Sequence, residues 1–370
     1  MRIVDIRTTP LAVPLSRVFR GGTYEITARC TVITEVLTDA GITGNTYAGD
    51  ERTRQRDIVH IIDARLKPLL IGQDPHDVER LWDRMFEETI PHGDRATILE
   101  AIAAVDIALW DLKGKAAGLP VHKLLGGYHD RLPAIVIGGY YEDDKGLDGL
   151  IAEMVGYRDQ GFAGVKMKVG RVDVREDAER VREVRQAVGA RFMIACDANQ
   201  AWTPEQAIQF CGLVEPWHIR WLEEPCHWYN DLAGMRRVRE RTGVPVTAGQ
   251  SEITKYGCEA LVRGAAVDIL NVDVSHAGGI TEWRKIAAMA ELAGVAMAHH
   301  EEPHLSQHCM GAIKLGLYPE YFSEARDPIG WNLLKNPPVF KDGCVSISQA
   351  PGFGLELHEG FIEQYRVQSR

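Results

Sequence analysis

No run of apolar residues in the 370-residue chain approaches the roughly 18 needed to cross a bilayer. Strand-like alternation with charged residues follows Met1 at once, so no apolar leader is expected. No CxxC pair occurs, and the seven cysteines are odd in number and widely spaced. Neither a disulfide scaffold nor a zinc–thiolate cluster is therefore expected, and most cysteines are expected to be small buried hydrophobes. A basic surplus is missing too: 42 Lys and Arg face 52 Asp and Glu, for a net charge of −10. That leaves no electrostatic footprint for nucleic acid. The local cluster Arg236, Arg237, Arg239 and Arg241 is interrupted by Val238 and Glu240 and reads as the solvated face of a helix. Gly126-Gly127 and Gly278-Gly279 lack the GxGxxG spacing, and neither a Walker loop nor a GxSxG elbow appears, which disfavours Rossmann, P-loop and α/β-hydrolase chemistry. The expectation is a soluble cytoplasmic protein that binds neither membrane nor nucleic acid.

What is present is a chain 45% hydrophobic and 25% charged, long enough to bury a large core. Residues 1–50 read mainly as antiparallel strands, with β-branched runs at Met1-Thr8 and Thr23-Leu37. Glu51 to Leu125 read mostly as helices. The clearest is Ile98-Ala117, apolar at helical spacing and stopped by Gly118-Leu119-Pro120. From Leu132 to Glu324, eight strand-like segments alternate with seven helical ones, which predicts a (β/α)8-type barrel over a doubly wound sheet. The α/β chain thus divides into an α+β capping domain (1–125), a barrel (126–325) and a turn-rich tail (326–370) expected to complete the capping domain.

Catalytic groups of a barrel project from the C-terminal ends of its strands. Those ends carry Lys166 and Lys168, Asp197 and Asn199, Glu223 and Glu224, Gln250 and Glu252, Asp273, His300 and Glu324, at successive intervals of 23–31 residues. Lys166-Met167-Lys168 obeys the two-residue strand period, so both lysines face one way. Their mutual repulsion is expected to lower their proton affinity and make either a general base. Asp197 and Glu223, with Gln250 or Glu252, offer hard oxygen donors that suit Mg²⁺ better than zinc. Asp273 is placed to orient His300 and raise its pKa. Residues 300–304 also match the zinc-protease pattern HExxH, but that motif requires a helix, and Pro303 falls inside it after an expected strand.

With these residues placed, the chain resembles the mandelate racemase-like branch of the enolase superfamily over nearly its whole length. The likeness rests on Lys166-Met167-Lys168, Asp197-Ala198-Asn199, Trp221-Leu222-Glu223-Glu224-Pro225, Asp273 with Gly278-Gly279, His300, Glu324, and VDIALWDLKGK at 105–115. The resemblance implies a modified barrel whose last unit is incomplete, and Mg²⁺-assisted removal of the proton α to a carboxylate. It implies Lys168 as the base on one face and His300, paired with Asp273, as the acid/base on the other. Lys166 would neutralise the substrate carboxylate, Glu324 would share a hydrogen bond with the enediolate, and Asn199 would contact a substrate oxygen. Asp197 and Glu223 carry over as metal ligands. Gln250 stands where the family usually has Glu, while Glu252 is the stronger ligand chemically. A homo-oligomer is also implied.

The reaction expected is dehydration of a sugar acid, aldonate or aldarate, to a 2-keto-3-deoxy acid. A racemase, epimerase or cycloisomerase would use the same enediolate, and a non-catalytic barrel that only binds is the alternative of a different class. Arg17 and Arg20, in a segment expected to loop over the barrel mouth, and Tyr140, after the first barrel strand, are the remaining candidate substrate contacts.

Overall fold

The computed structural model describes residues 1–49, 53–227 and 231–367. Asp50 and Glu51, where strands were expected to give way to helices, lie outside them. The chain begins with an antiparallel meander of β1 (Ile3–Arg20), β2 (Glu25–Thr38) and β3 (Thr43–Ala48). Helices follow, ending in the 23-residue helix Arg95–Ala117. Asp94 caps its start, accepting from the Ala96 and Thr97 amides at 3.1 Å each, and Gly118 ends it in the left-handed conformation. That helix is apolar nearly all round because it is wedged between the meander and the barrel. Its buried Asp106 accepts from the Thr281 amide at 2.9 Å and hydroxyl at 2.6 Å, tying the first region to helix Ile280–Ala293 of the barrel. Gly44 of β3 lies so close to this helix that a Cβ there would overlap the Ala108 carbonyl oxygen. Gly44→Ala should therefore cost about 1–3 kcal/mol, read as a lower thermal unfolding midpoint with unchanged far-UV circular dichroism.

β4 (Arg131–Pro133) precedes eight parallel barrel strands: β5 (Ile135–Gly138), β6 (Gly164–Lys168), β7 (Met193–Asp197), β8 (Leu222–Glu223), β9 (Val246–Ala248), β10 (Ile269–Val272), β11 (Ala296–His299) and β12 (Glu320–Phe322). They pair in sequence order from β5 to β11, and β12 returns to pair with β5. The sheet is thus a nearly closed (β/α)8-type barrel whose strands all end on one face, where catalytic groups of such barrels gather. The tail divides between two attachments. β13 (Phe340–Lys341) and β14 (Cys344–Ser346) extend β4 as a small antiparallel sheet. Helix Glu359–Tyr365 and the segment after Asp327 pack instead on β1 and β2, where Ile329, Leu333 and Ile362 share a core with Leu11, Val13 and Ile33.

The first hairpin corrects one expectation. Arg17 and Arg20 lie not in a loop but in β1, which runs through a register irregularity between Pro14 and Phe19 and turns only at residues 21–24. That turn rests on the barrel: the Thr23 hydroxyl donates to the Asn199 carbonyl at 3.0 Å, and Gly22 leaves no room for a Cβ against the Ala198 carbonyl. Among the described residues, no helix is long and apolar enough to cross a membrane.

Candidate active site

The two lysines of β6 point into the barrel, as the strand period requires, and both are buried. Lys166 Nζ lies 2.6 Å from Glu223 Oε1, 2.6 Å from Glu320 Oε1 and 4.0 Å from Asp197 Oδ2. Lys168 Nζ lies 2.6 Å from Asp197 Oδ2 and over the rings of Tyr24 and Tyr140, 5.5 and 5.7 Å from their centroids. Burial alone would lower the proton affinity of both. Glu223, Glu320 and Asp197 around Lys166, and Asp197 with Tyr24 and Tyr140 around Lys168, outweigh burial and hold both ammonium groups well above their ordinary range. The expected lowering by repulsion is therefore reversed, because each lysine has at least one carboxylate against it.

Asp197, ending β7, is held by the Asn199 amide at 2.9 Å, and the lysines keep it ionised against the effect of burial. Glu223, ending β8, accepts from Asn271 Nδ2 at 2.9 Å and Trp221 Nε1 at 3.1 Å. Gln250, beyond β9, donates from Nε2 to Glu224 Oε2 at 3.1 Å, and its Oε1 is buried without a hydrogen-bond partner. Two carboxylates and an orphaned amide oxygen form an all-oxygen donor set, the chemistry a hard divalent cation such as Mg²⁺ takes. Among the described residues no three His, Cys, Asp or Glu side chains form a metal cluster. Glu252 lines an adjoining cavity with Cys226, Asp231 and Met235, which shares Arg54 and His276 with the cavity at His300. Burial beside Asp197 and Glu223 pushes Glu224 up to about 8.

Across the basin, His300 Nδ1 meets Asp273 Oδ2 at 2.8 Å. Burial would lower the imidazole's pKa, but this bond and the charges of Glu301 and Asp273 raise it to about 9. His300 Nε2 is 3.8 Å from Glu301 Oε1, and Arg29 holds the other oxygen, Glu301 Oε2, at 2.7 Å. A cavity of about 470 Å³ is lined by Tyr24, Asn199, Gln250, Asp273, His300 and Glu301, among others. Lys168 is buried and is not itself in that lining, but its ammonium lies 5.5 Å from the ring centroid of Tyr24, which is. Asn199 contributes a second buried acceptor without a partner, its Oδ1.

Four expected contacts lie elsewhere. Glu324 is exposed and bonds Asn332 at 3.2 Å. The acid inside the barrel is Glu320, because β12 begins four residues earlier than the apparent strand end. Arg17 pairs with Glu142 at 2.6 Å, and Arg20 with Asp143 at 2.9 Å and Glu25 at 3.0 Å; neither lines the cavity. Tyr140 packs edge-on against Phe19 under Lys168, buried and away from the cavity. The residues that sequence reading missed are Tyr24, Glu301 and Glu320. Glu320 opens a three-residue strand directly after Pro319, and no local signal in the sequence marks it as the acid inside the barrel. The HExxH match dissolves, since Glu301 and Glu302 are in left-handed backbone and the helix begins only at Pro303. His304 stacks on Tyr47, with centroids 3.7 Å apart, and bonds its carbonyl.

Comparison with known proteins agrees with this geometry. Residues 7–126 match the model for the mandelate racemase/muconate lactonizing enzyme N-terminal domain, and residues 149–361 match the enolase C-terminal domain-like family. The chain belongs to the enolase superfamily, in its mandelate racemase and muconate lactonizing enzyme branch. It is 35% identical to arabinonate dehydratase of Saccharolobus solfataricus over 91% of each chain. It is 32% identical to 3,6-anhydro-alpha-L-galactonate cycloisomerase of Streptomyces coelicolor over 96% of this chain and 97% of that one. A crystal structure of a mandelate racemase/muconate lactonizing enzyme from a marine actinobacterium, in complex with magnesium, is 42% identical, with a TM-score of 0.93 over 99% of each chain.

Proposed function

We propose that this protein is a Mg²⁺-dependent sugar-acid dehydratase, a carbon–oxygen lyase that converts an aldonate or aldarate to a 2-keto-3-deoxy acid. The observation that carries the reading is the pairing of a buried strand-end lysine, Lys168, with an Asp273–His300 dyad on other strands of the same basin. Asp197, Glu223 and Gln250 would hold the ion. When bound, Mg²⁺ would supply positive charge that offsets the carboxylate field on the lysines and the charge developing on the substrate's carboxylate.

Lys168, as the free amine, takes the α proton, and the C–H electron pair enters the substrate carboxylate as an enediolate. Lys166 offsets the added negative charge. His300, charged and held by Asp273, gives its Nε2 proton to the departing β-hydroxyl. The C–O bond breaks, water leaves, and the resulting enol relaxes to the 2-keto acid. Asn199 Oδ1 accepts from a substrate hydroxyl. The magnesium-bound structure and the sugar-acid dehydratase among the relatives support this reading. The cycloisomerase relative favours a second one, in which His300 returns a proton to carbon or a ring oxygen leaves in place of hydroxide.

The charges around the cavity favour a substrate with one carboxylate. Arg54 and Arg326 line the cavity; Arg54 pairs with the buried Glu100, Arg326 lies 3.9 Å from Glu301, and Arg29 behind them pairs with Glu301 and Asp327. These guanidinium groups already neutralise protein carboxylates, and a second substrate carboxylate would have to compete for them. In a screen of aldonic and aldaric acids with Mg²⁺, keto-acid release is expected, with kcat/KM for an aldonate about tenfold or more above the diacid of the same configuration, a difference of roughly 1.4 kcal/mol. Solvent deuterium entering the α carbon without keto acid would favour the isomerase instead. Absence of both across the panel would end the enzymatic reading.

A further inference from the structure

Glu224 has no part in the chemistry just described, yet it is buried and its carboxyl group joins the loops that follow three barrel strands. Its Oε2 accepts from Gln200 Nε2 at 2.6 Å, beyond β7, and from Gln250 Nε2 at 3.1 Å, beyond β9. Its Oε1 takes the Ser251 hydroxyl at 3.3 Å. The backbone repeats part of the link, the Gln200 amide donating to the Glu224 carbonyl at 2.7 Å. Asn199, Gln200 and Glu224 all sit at positive φ, 44°, 64° and 36°, which non-glycine residues hold only when their surroundings impose it. An amide presents a donor on one side and an acceptor on the other. With its nitrogen turned to a carboxyl oxygen, Gln250 must turn its oxygen the opposite way, and that oxygen is the buried acceptor without a partner.

We propose that Glu224 is the positioning residue of the cation site: it clamps the Gln250 side chain so that the amide oxygen, not the nitrogen, faces the ion, and it locks the Asp197 and Gln250 loops to the Glu223 strand end. This rests on the ion-site reading given above. The clamp explains how a neutral amide serves beside two carboxylates. A side chain free to flip would present a donor to the cation half the time, whereas a clamped one is oriented before the ion arrives.

The test is Mn²⁺ titration of the full chain without substrate, read from the free-ion electron paramagnetic resonance signal. In E224Q the new side chain can offer its own N–H₂ toward Gln250, and Mn²⁺ affinity should fall about 10–100-fold, the usual cost of losing an outer partner of a metal ligand. Q250E alone removes the amide donor that Glu224 accepts from and leaves two carboxyl groups face to face, so it should gain no affinity although it adds an acid to the ligand set. The double variant E224Q/Q250E restores a donor–acceptor pair around a carboxylate ligand and should bind at least as tightly as the parent. E224Q binding within twofold of the parent, or Q250E alone binding tenfold tighter, would overturn the clamp. If E224Q does not fold, the Q250E and double-variant titrations decide by the same criteria. A parent chain that takes up no Mn²⁺ at millimolar concentration removes the ion site itself, and the clamp with it, an outcome distinct from differences among the variants.

Discussion

Lys168→Ala should reduce kcat for keto-acid formation by about 10³-fold or more, within the 10²–10⁴ that a positioned proton-transfer group contributes together with its electrostatic role. The informative comparison is with His300→Asn. Lys168 lies against Asp197 and His300 against Asp273, on different strands, so the two groups address the substrate from separate positions. If Lys168 removes the α proton and His300 expels the hydroxyl, K168A loses both exchange of the α hydrogen with solvent deuterium and dehydration. H300N, in contrast, retains the exchange while dehydration falls by a similar factor. The measurement is proton NMR of the recovered substrate in D₂O alongside a keto-acid assay. Retention of exchange in K168A with its loss in H300N would reverse the two assignments. Loss of neither would place the chemistry elsewhere. Because Lys168 offsets the buried Asp197, K168A is also expected to be less stable unless Mg²⁺ is present, so soluble, folded protein should be verified by circular dichroism in its presence.

What the sequence disclosed, and what it hid, follows from how far each signal reaches along the chain. Lys166-Met167-Lys168 was legible because the two-residue period needs only neighbours, and Asp197, Glu223, Asp273 and His300 because each closes a short apolar strand. The last strand defeated the same logic. β12 is three residues long and follows Pro319, so nothing local marked its start, and the acid at its apparent end, Glu324, proved to lie outside the barrel. Arg17 and Arg20 were misread because Pro14 and Gly21-Gly22 look like loop boundaries, whereas β1 accommodates the irregularity and pairs with β2 up to Arg20. Tyr24 could not be found from sequence at all. Its contact with Lys168 joins a hairpin turn in the first region to a barrel strand, and no periodicity encodes that meeting. The direction of the lysine pKa shifts was hidden for a related reason: it depends on Glu320 and Glu223 reaching the same ammonium group from separate strands.

Asp273→Asn should lower kcat for dehydration by about 10²–10³-fold at pH 8 and move the alkaline limb of the pH profile downward by two or more pH units. His300 needs its proton to expel hydroxide. In the parent its pKa stands at about 9, raised against burial by the Asp273 bond and the Glu301 and Asp273 charges, while Lys166 opposes them. The charged form is therefore complete below the ordinary histidine value and is lost as pH rises through about 9. At pH 8 about nine-tenths of the imidazole carries its proton. Asparagine removes the charge but keeps an oxygen for the Ser275 amide, which Asp273 now accepts at 2.8 Å as the cap of helix Val274–Ala277, so the backbone should hold. Burial then dominates, His300 falls to its ordinary value or below, and only a few per cent is charged at pH 8. Lowering the pH should recover part of the lost rate in D273N but not in H300N, because D273N still has an imidazole to charge. A D273N profile whose alkaline limb coincides with the parent's would show that this dyad does not set the acid's proton affinity.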